Sequence, residues 1–288
     1  MTRPCPGPKP PLRPRLVAPP GACDTHAHVL GPYARFPLNE DRSYTAPEAP
    51  FADYATLLDT LGLERGVIVH GSAHGTMMDA SLDAIARLGK RGRGVAVVEP
   101  TTDDRALDRL HEAGIRGVRV TTVLRGGISP DHMMTLAGRL KRLGWHIQVF
   151  IDGPRQMTDY LAMLRSLPVD IVIDHMGYFR PEDGIDHPGF RGLLDLVHGG
   201  RCWVKLSGAY RHSLTGAPFA DMTPFAQALI EARPDRMVWG SDWPHVMLWD
   251  RPMPQTADIL DWALTWQVDD ATLRRILVDN PAALYDFG

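Results

Sequence analysis

Cysteine is scarce in this chain. Cys5, Cys23 and Cys202 are the only three in 288 residues, and their wide spacing excludes a disulfide framework. That usage fits a reducing cytoplasm. No apolar run reaches the roughly 20 residues that cross a bilayer, which sets a membrane protein aside. Residues 1–20 are rich in Pro and Arg and have no apolar h-region, so they read as a flexible arm, free or strapped over the folded body, rather than a secretory leader. Charge of one sign is missing as well. Lys and Arg number 31 and Asp and Glu 34, giving −3 with both signs interspersed, so nothing points to nucleic acid. A glycine-rich phosphate loop after the first apolar run is also absent, which argues against a dinucleotide-binding open sheet.

What is plentiful is an alternation. Eight short β-rich apolar runs occur at 21–29, 65–70, 94–99, 117–123, 146–151, 170–175, 202–207 and 237–241. Segments between them place apolar residues at three-and-four spacing, as in Tyr54, Leu57, Leu58 and Leu61. Further helical stretches are expected at 106–113, 131–143, 156–167, 190–198, 224–232 and 255–266. Several runs are apolar on both faces (Val67-Ile68-Val69, Ile171-Val172-Ile173), as when helices cover a parallel sheet. Eight strand-then-helix units in this length predict a single (β/α)8 barrel over residues 21–288 behind the arm. The strandless stretch 31–50 is then a loop or lid over the mouth.

Chemistry in such a barrel sits at the carboxyl ends of the strands, and polar residues gather there. His26 and His28, two apart, project from one side of the first strand. His70 and Ser72 close the second run, Arg119 and Arg125 the fourth, and Asp174-His175 the sixth. Ser207, Tyr210 and Arg211 follow the seventh, and Asp242 and His245 the eighth. Two strand-end imidazoles can hold a metal, or a water and a carbonyl oxygen. Asp242 could take a proton from water or ligate a metal, and His175 could polarise a carbonyl or be held by Asp174. His70, His74 and His245 carry weaker signals, since loop histidines are commonly just solvated. Arg119, Arg125 and Arg211 either pair with internal carboxylates such as Glu99 or Asp152, or capture a substrate's acid groups.

The motifs Asp24-Thr25-His26-Ala27-His28, Ile173-Asp174-His175-Met176-Gly177, Val204-Lys205-Leu206-Ser207-Gly208-Ala209-Tyr210-Arg211 and Trp239-Gly240-Ser241-Asp242-Trp243-Pro244-His245 resemble the amidohydrolase superfamily. Within it they resemble the branch of 2-pyrone-4,6-dicarboxylate lactonases. The resemblance implies a (β/α)8 barrel in which His26, His28, His175 and Asp242 match metal ligands. It also implies that Arg119, Arg125 and Arg211, with Tyr44, Ser72 and His245, contact substrate. The strand-four bridge and strand-five histidine of two-metal relatives are missing here: strand four offers Arg119, Thr121 and Thr122, and His146 lies at the wrong end of strand five. One divalent ion, zinc foremost, or none is therefore expected. Phe150 or Ile151 stands where such a lactonase is expected to have a tyrosine, which leaves neighbouring lactones open.

The activity implied is hydrolysis of a small anionic lactone in aromatic-acid or sugar-acid catabolism, by a monomer or a homo-oligomer. A sugar lactonase, and a metal-dependent decarboxylase built on the same His/Asp set, are the alternatives. A non-catalytic binding barrel ranks last, since it has no use for that set.

Overall fold

The computed structural model describes residues 2–124 and 129–288. Its strands are β1 (Cys23–Ala27), β2 (Arg65–Val69), β3 (Gly92–Ala96), β4 (Ile115–Thr121), β5 (His146–Phe150), β6 (Ile171–Ile173), β7 (Cys202–Leu206) and β8 (Met237–Trp239). They lie side by side in chain order, each parallel to the next. Helices return the chain between them: α1 (Phe51–Leu61), α2 (Asp79–Leu88), α3 (Asp104–Glu112), α4 (Met133–Leu140), α5 (Gly153–Ser166) and α6 (Pro188–His198). A short helix, α7 (Ala209–His212), precedes α8 (Thr223–Ala232); α9 (Thr256–Asp261), α10 (Asp270–Arg274) and α11 (Asn280–Tyr285) end the chain. This is a (β/α)8 barrel.

Alternation along the strands divides its residues into two layers. Val118, Val120, Ile147, Val149, Val204 and Leu206 pack outward in the main core with helix residues such as Leu107, Leu136 and Leu193. Cys23, Val67, Val69 and Val95 form a second cluster, closed by Tyr285 and Phe287 at the chain's end. The third strand lies at Gly92–Ala96 rather than 94–99. Gly92 and Gly94 have no side chain to show an alternation, so the apolar run begins late.

Among the described residues no strand ladder joins β8 to β1; the seam closes through the residue pairs around them. Ala27 pairs with Trp243, the His28 amide donates to the Trp243 carbonyl at 2.8 Å, and the Asp242 amide to the His26 carbonyl at 2.8 Å. Asp24 staples the same seam, accepting from the Ser241 amide (2.8 Å), the Ser241 hydroxyl (2.6 Å) and Tyr54 (3.2 Å).

The arm lies against the barrel. The Cys5 amide donates to the Thr45 carbonyl in the β1–α1 loop, and Trp249 beyond β8 donates to the Pro4 carbonyl, each at 2.8 Å. Farther along, the Arg15 and Leu16 amides share the Asp261 carboxylate. Among the described residues no helix is long and apolar enough to cross a membrane.

Candidate active site

Four side chains from three strand ends converge at the mouth. Asp242 Oδ1 lies 3.8 Å from His26 Nε2 and 3.8 Å from His28 Nε2, while Asp242 Oδ2 lies 3.7 Å from His175 Nε2. The approach of β8 to β1 is close enough that a Cβ on Gly240 would fall 2.6 Å from the His26 Cβ, and glycine is what permits it. Gly208, at φ +71, gives way to the His175 ring in the same manner, its absent Cβ falling 2.9 Å from that residue's Cβ.

Each imidazole is steered by its other nitrogen. His28 Nδ1 meets the Val69 carbonyl and His175 Nδ1 the Ser207 hydroxyl, both at 2.8 Å. Both therefore turn Nε2 into the mouth. Burial pushes the His28 and His175 rings down to about 4, and His26 well below its ordinary value, so all three are neutral near pH 7.

Asp242 is held on one side only. Its Oδ2 accepts from the Tyr210 hydroxyl (2.7 Å) and Arg211 Nε (2.6 Å), whereas Oδ1 is buried with no hydrogen-bond partner. Burial alone would raise this carboxyl, but the Arg211 guanidinium and then His175 and His26 hold it well below the usual carboxylate range. The result is an ionised carboxylate with one oxygen free to accept a proton or a cation.

The arginines pair with carboxylates other than those the sequence suggested. Arg119 donates to Asp174 Oδ2 through Nε and Nη2 at 3.1 Å, and Arg211 takes Asp242; Glu99 and Asp152 are not their partners. Asp174 in turn leaves His175 to Ser207 and faces His26 Nδ1 at 3.3 Å. Tyr44 and Ser72 are buried side by side in the loops after β1 and β2. His245 is fully buried behind Tyr210, its ring 4.9 Å away and its Nε2 3.0 Å from Thr256. His70 bonds Ser81 and the Gly75 carbonyl, and His74 the Pro37 carbonyl, as structural histidines do. Arg125 lies outside the described residues.

Two residues went unread in the sequence. Lys205 of β7, fully buried, donates to the Thr25 carbonyl (2.7 Å) and to Gln148 of β5 (2.8 Å), beneath His26. Burial lowers its ammonium to about 8. A lysine in the middle of Cys202-Trp203-Val204-Lys205-Leu206 was the available signal, since a charge on a barrel strand has to face a partner inside.

The amidohydrolase family model matches residues 23–287. The chain belongs to the amidohydrolase family. It is 37% identical to the 4-sulfomuconolactone hydrolase of Rhizobium radiobacter, over 98% of this chain and 96% of that one. It is 36% identical to the 2-pyrone-4,6-dicarboxylate hydrolase of Comamonas testosteroni, over 96% and 93%. A crystal structure of a probable 2-pyrone-4,6-dicarboxylic acid hydrolase from Acinetobacter baumannii, with citric acid bound, superposes with a TM-score of 0.80 at 28% identity. That likeness covers 92% of this chain and 99% of the other.

The amidohydrolase mouth suits one metal ion. His26, His28 and Asp242 offer ligand atoms within 4.8 Å of one another, and His26 Nε2 and Asp242 Oδ1 are buried without partners. Neutral imidazoles and an ionised carboxylate are the protonation states a divalent ion needs. A second cluster, His26, Asp174 and His175, also places ligand atoms within 4.8 Å of one another, but it shares His26 with the first and its Asp174 is already paired with Arg119.

Proposed function

We propose that this amidohydrolase opens a small lactone carrying acid groups by adding water to the ring ester. The observation that carries the reading is the half-held Asp242: Oδ2 fixed by Arg211 and Tyr210, Oδ1 open and facing imidazoles. The two hydrolases named above act, by name, on lactones that carry carboxylate or sulfonate groups, and a structural relative holds citrate, a polycarboxylate.

In the reaction, Asp242 Oδ1 accepts a proton as the water oxygen bonds to the carbonyl carbon. Negative charge moves to the carbonyl oxygen. The ring C–O bond then breaks, the leaving oxygen takes the proton back from Asp242, and the acid product departs. Because Arg211 keeps Asp242 ionised, it is always ready to accept but is a weak base, so the charge on the carbonyl oxygen must be met by other groups of the mouth. One divalent ion, held by His26, His28, His175 and Asp242, would supply Lewis acidity there.

A guanidinium has five N–H donors in a rigid fork. The pairs with Asp174 and Asp242 engage only part of Arg119 and Arg211, which leaves donors for acid groups on the ligand, and Tyr44 and Ser72 complete the same rim. Buried where they are, these donors cannot swing into solvent, so a carboxylate would be bound in one orientation and the ester carbonyl aimed at the mouth. Three free, buried cysteines are in keeping with a reducing compartment.

A panel of lactones with and without acid groups, followed by proton release with and without chelator, tests this reading. Acidic lactones should be opened, and Asp242→Asn should keep the fold at reduced stability, since Arg211 loses its counter-charge, while losing on the order of 10² to 10⁴ in rate. Carbon dioxide in place of ring opening would identify a decarboxylase instead. An unimpaired Asp242→Asn would remove that residue from the chemistry.

A further inference from the structure

His26 faces two neighbours of opposite kind through one nitrogen. Its Nδ1 lies 3.3 Å from Asp174 Oδ1 and 3.5 Å from the Lys205 ammonium. A carboxylate only accepts and an ammonium only donates. The ring proton therefore sits on Nδ1 if Asp174 governs and on Nε2 if Lys205 does.

Counting partners decides between them. Lys205 already donates to the Thr25 carbonyl at 2.7 Å and to Gln148 Oε1 at 2.8 Å. Asp174 Oδ2 accepts from Arg119 Nε and Gln148 Nε2, both at 3.1 Å, but its Oδ1 is buried with no hydrogen-bond partner, its nearest donors being His26 Nδ1 at 3.3 Å and the Lys205 ammonium at 3.9 Å. Stranding a buried carboxylate oxygen is more costly than leaving one N–H of an ammonium that already has two good acceptors. The proton on Nδ1 is the arrangement that puts the nearest donor against that carboxylate oxygen.

We propose that Asp174 is a positioning residue that keeps the His26 proton on Nδ1, so that the Nε2 lone pair faces Asp242 across the mouth. Lys205 and Gln148 give the relay its direction. By donating to Gln148 Oε1, Lys205 turns the Gln148 NH2 toward Asp174 Oδ2; with Arg119 on that same oxygen, only Oδ1 remains for His26. An open Nε2 is what proton exchange or ligation at the mouth requires, and a carboxylate on the other nitrogen is the usual way to secure it. The consequence for rate rests on the lactone-hydrolysis reading; the tautomer does not.

Asp174→Asn tests the proposal with little change in shape. Arg119 and Gln148 would hold the carbonyl of the new side chain where Oδ2 was. Its NH2 then falls at the Oδ1 position and donates to His26 Nδ1, which moves the ring proton to Nε2. Nitrogen-15 NMR of histidine-labelled, chelator-treated protein distinguishes the two tautomers, with His26 assigned by its loss from His26→Gln. The wild type should show Nδ1–H and Asp174→Asn should show Nε2–H. In the variant kcat should fall about ten- to a hundredfold, with KM within about twofold because Asp174 meets no substrate in this account. An Nε2–H signature in the wild type overturns the proposal outright, and this measurement decides the matter even if the variant does not fold. A folded variant that keeps Nδ1–H, or one that flips with kcat unchanged, overturns it as well. A wild type that opens no lactone would sink the hydrolase reading and leave the tautomer result standing.

Discussion

Arg211 and Asp242 are a buried ion pair whose two members have different duties. The arginine sits between Asp242 Oδ2, at 2.6 Å, and the Val246 carbonyl, at 3.0 Å, so it ties that carboxylate to the loop that follows β8. Removing one member of such a pair leaves an uncompensated charge, which costs about 3 to 5 kcal/mol. Arg211→Met should therefore lose about 3 to 5 kcal/mol of stability in a urea melt and lose kcat on neutral and acidic lactones alike, because Asp242 loses its anchor in either case, with a rise in KM for acidic lactones alone, which lose a donor as well. If instead the loss is confined to acidic lactones and stability is unchanged, Arg211 serves the ligand and not Asp242. Single residues of this kind were visible in the sequence as polar positions at strand ends: His26, His28, His175 and Asp242 are brought together at one mouth. Their partners were not visible. That Asp174 would turn to His26, or Arg119 to Asp174, depends on how far each strand is staggered around the barrel, and spacing along the chain carries no record of that.

At the scale of the elements, the seam between β1 and β8 is where the barrel and the site depend on each other. Asp24 joins the two with bonds from the Ser241 amide and hydroxyl, and it also takes the His26 amide at 3.0 Å and the Tyr54 hydroxyl. Asp24→Ala strands several buried donors at once, each costing about 1 to 3 kcal/mol. It should lower stability by at least about 3 kcal/mol and slow turnover, since His26 and Asp242 flank the broken contacts. Denaturant melts and a rate assay would check both, and a stable, fully active variant would show that the seam is held elsewhere. Eight strands in order were legible because their apolar runs alternate with helix-period segments. Boundaries were less so: α7, which carries Tyr210 and Arg211, is only four residues long and too short for any periodicity to register. The Asp24 staple was hidden for another reason, since an acid beside a His-x-His run reads as part of the site before it reads as part of the seam.

The whole molecule keeps several histidines buried and neutral, and His146 shows what that does to its response to acid. It lies at the start of β5, its ring edge-on to Tyr285 at 5.3 Å, with both ring nitrogens buried and without hydrogen-bond partners. Burial pushes its pKa down to about 3; the Lys205 ammonium acts in the same direction, and the Asp174 carboxylate opposes them. In the unfolded chain the same ring titrates near 6.5. Between those two values the unfolded state binds a proton that the folded state refuses, so stability is full above about pH 6.5 and drains away as pH falls toward 3. His70 and His245, each lowered to about 3, add to the same slope. Replacing His146 by a ring that cannot take a proton removes its share without emptying the space. In His146→Phe the fall in Tm between about pH 7 and pH 4 should be shallower than in the wild type, with fold and neutral-pH activity retained because the mouth lies at the other end of β5. Melting curves across that range give the answer. An unchanged slope would mean that His146 already accepts a proton in the folded barrel, and that the acid sensitivity of the molecule belongs to its other histidines.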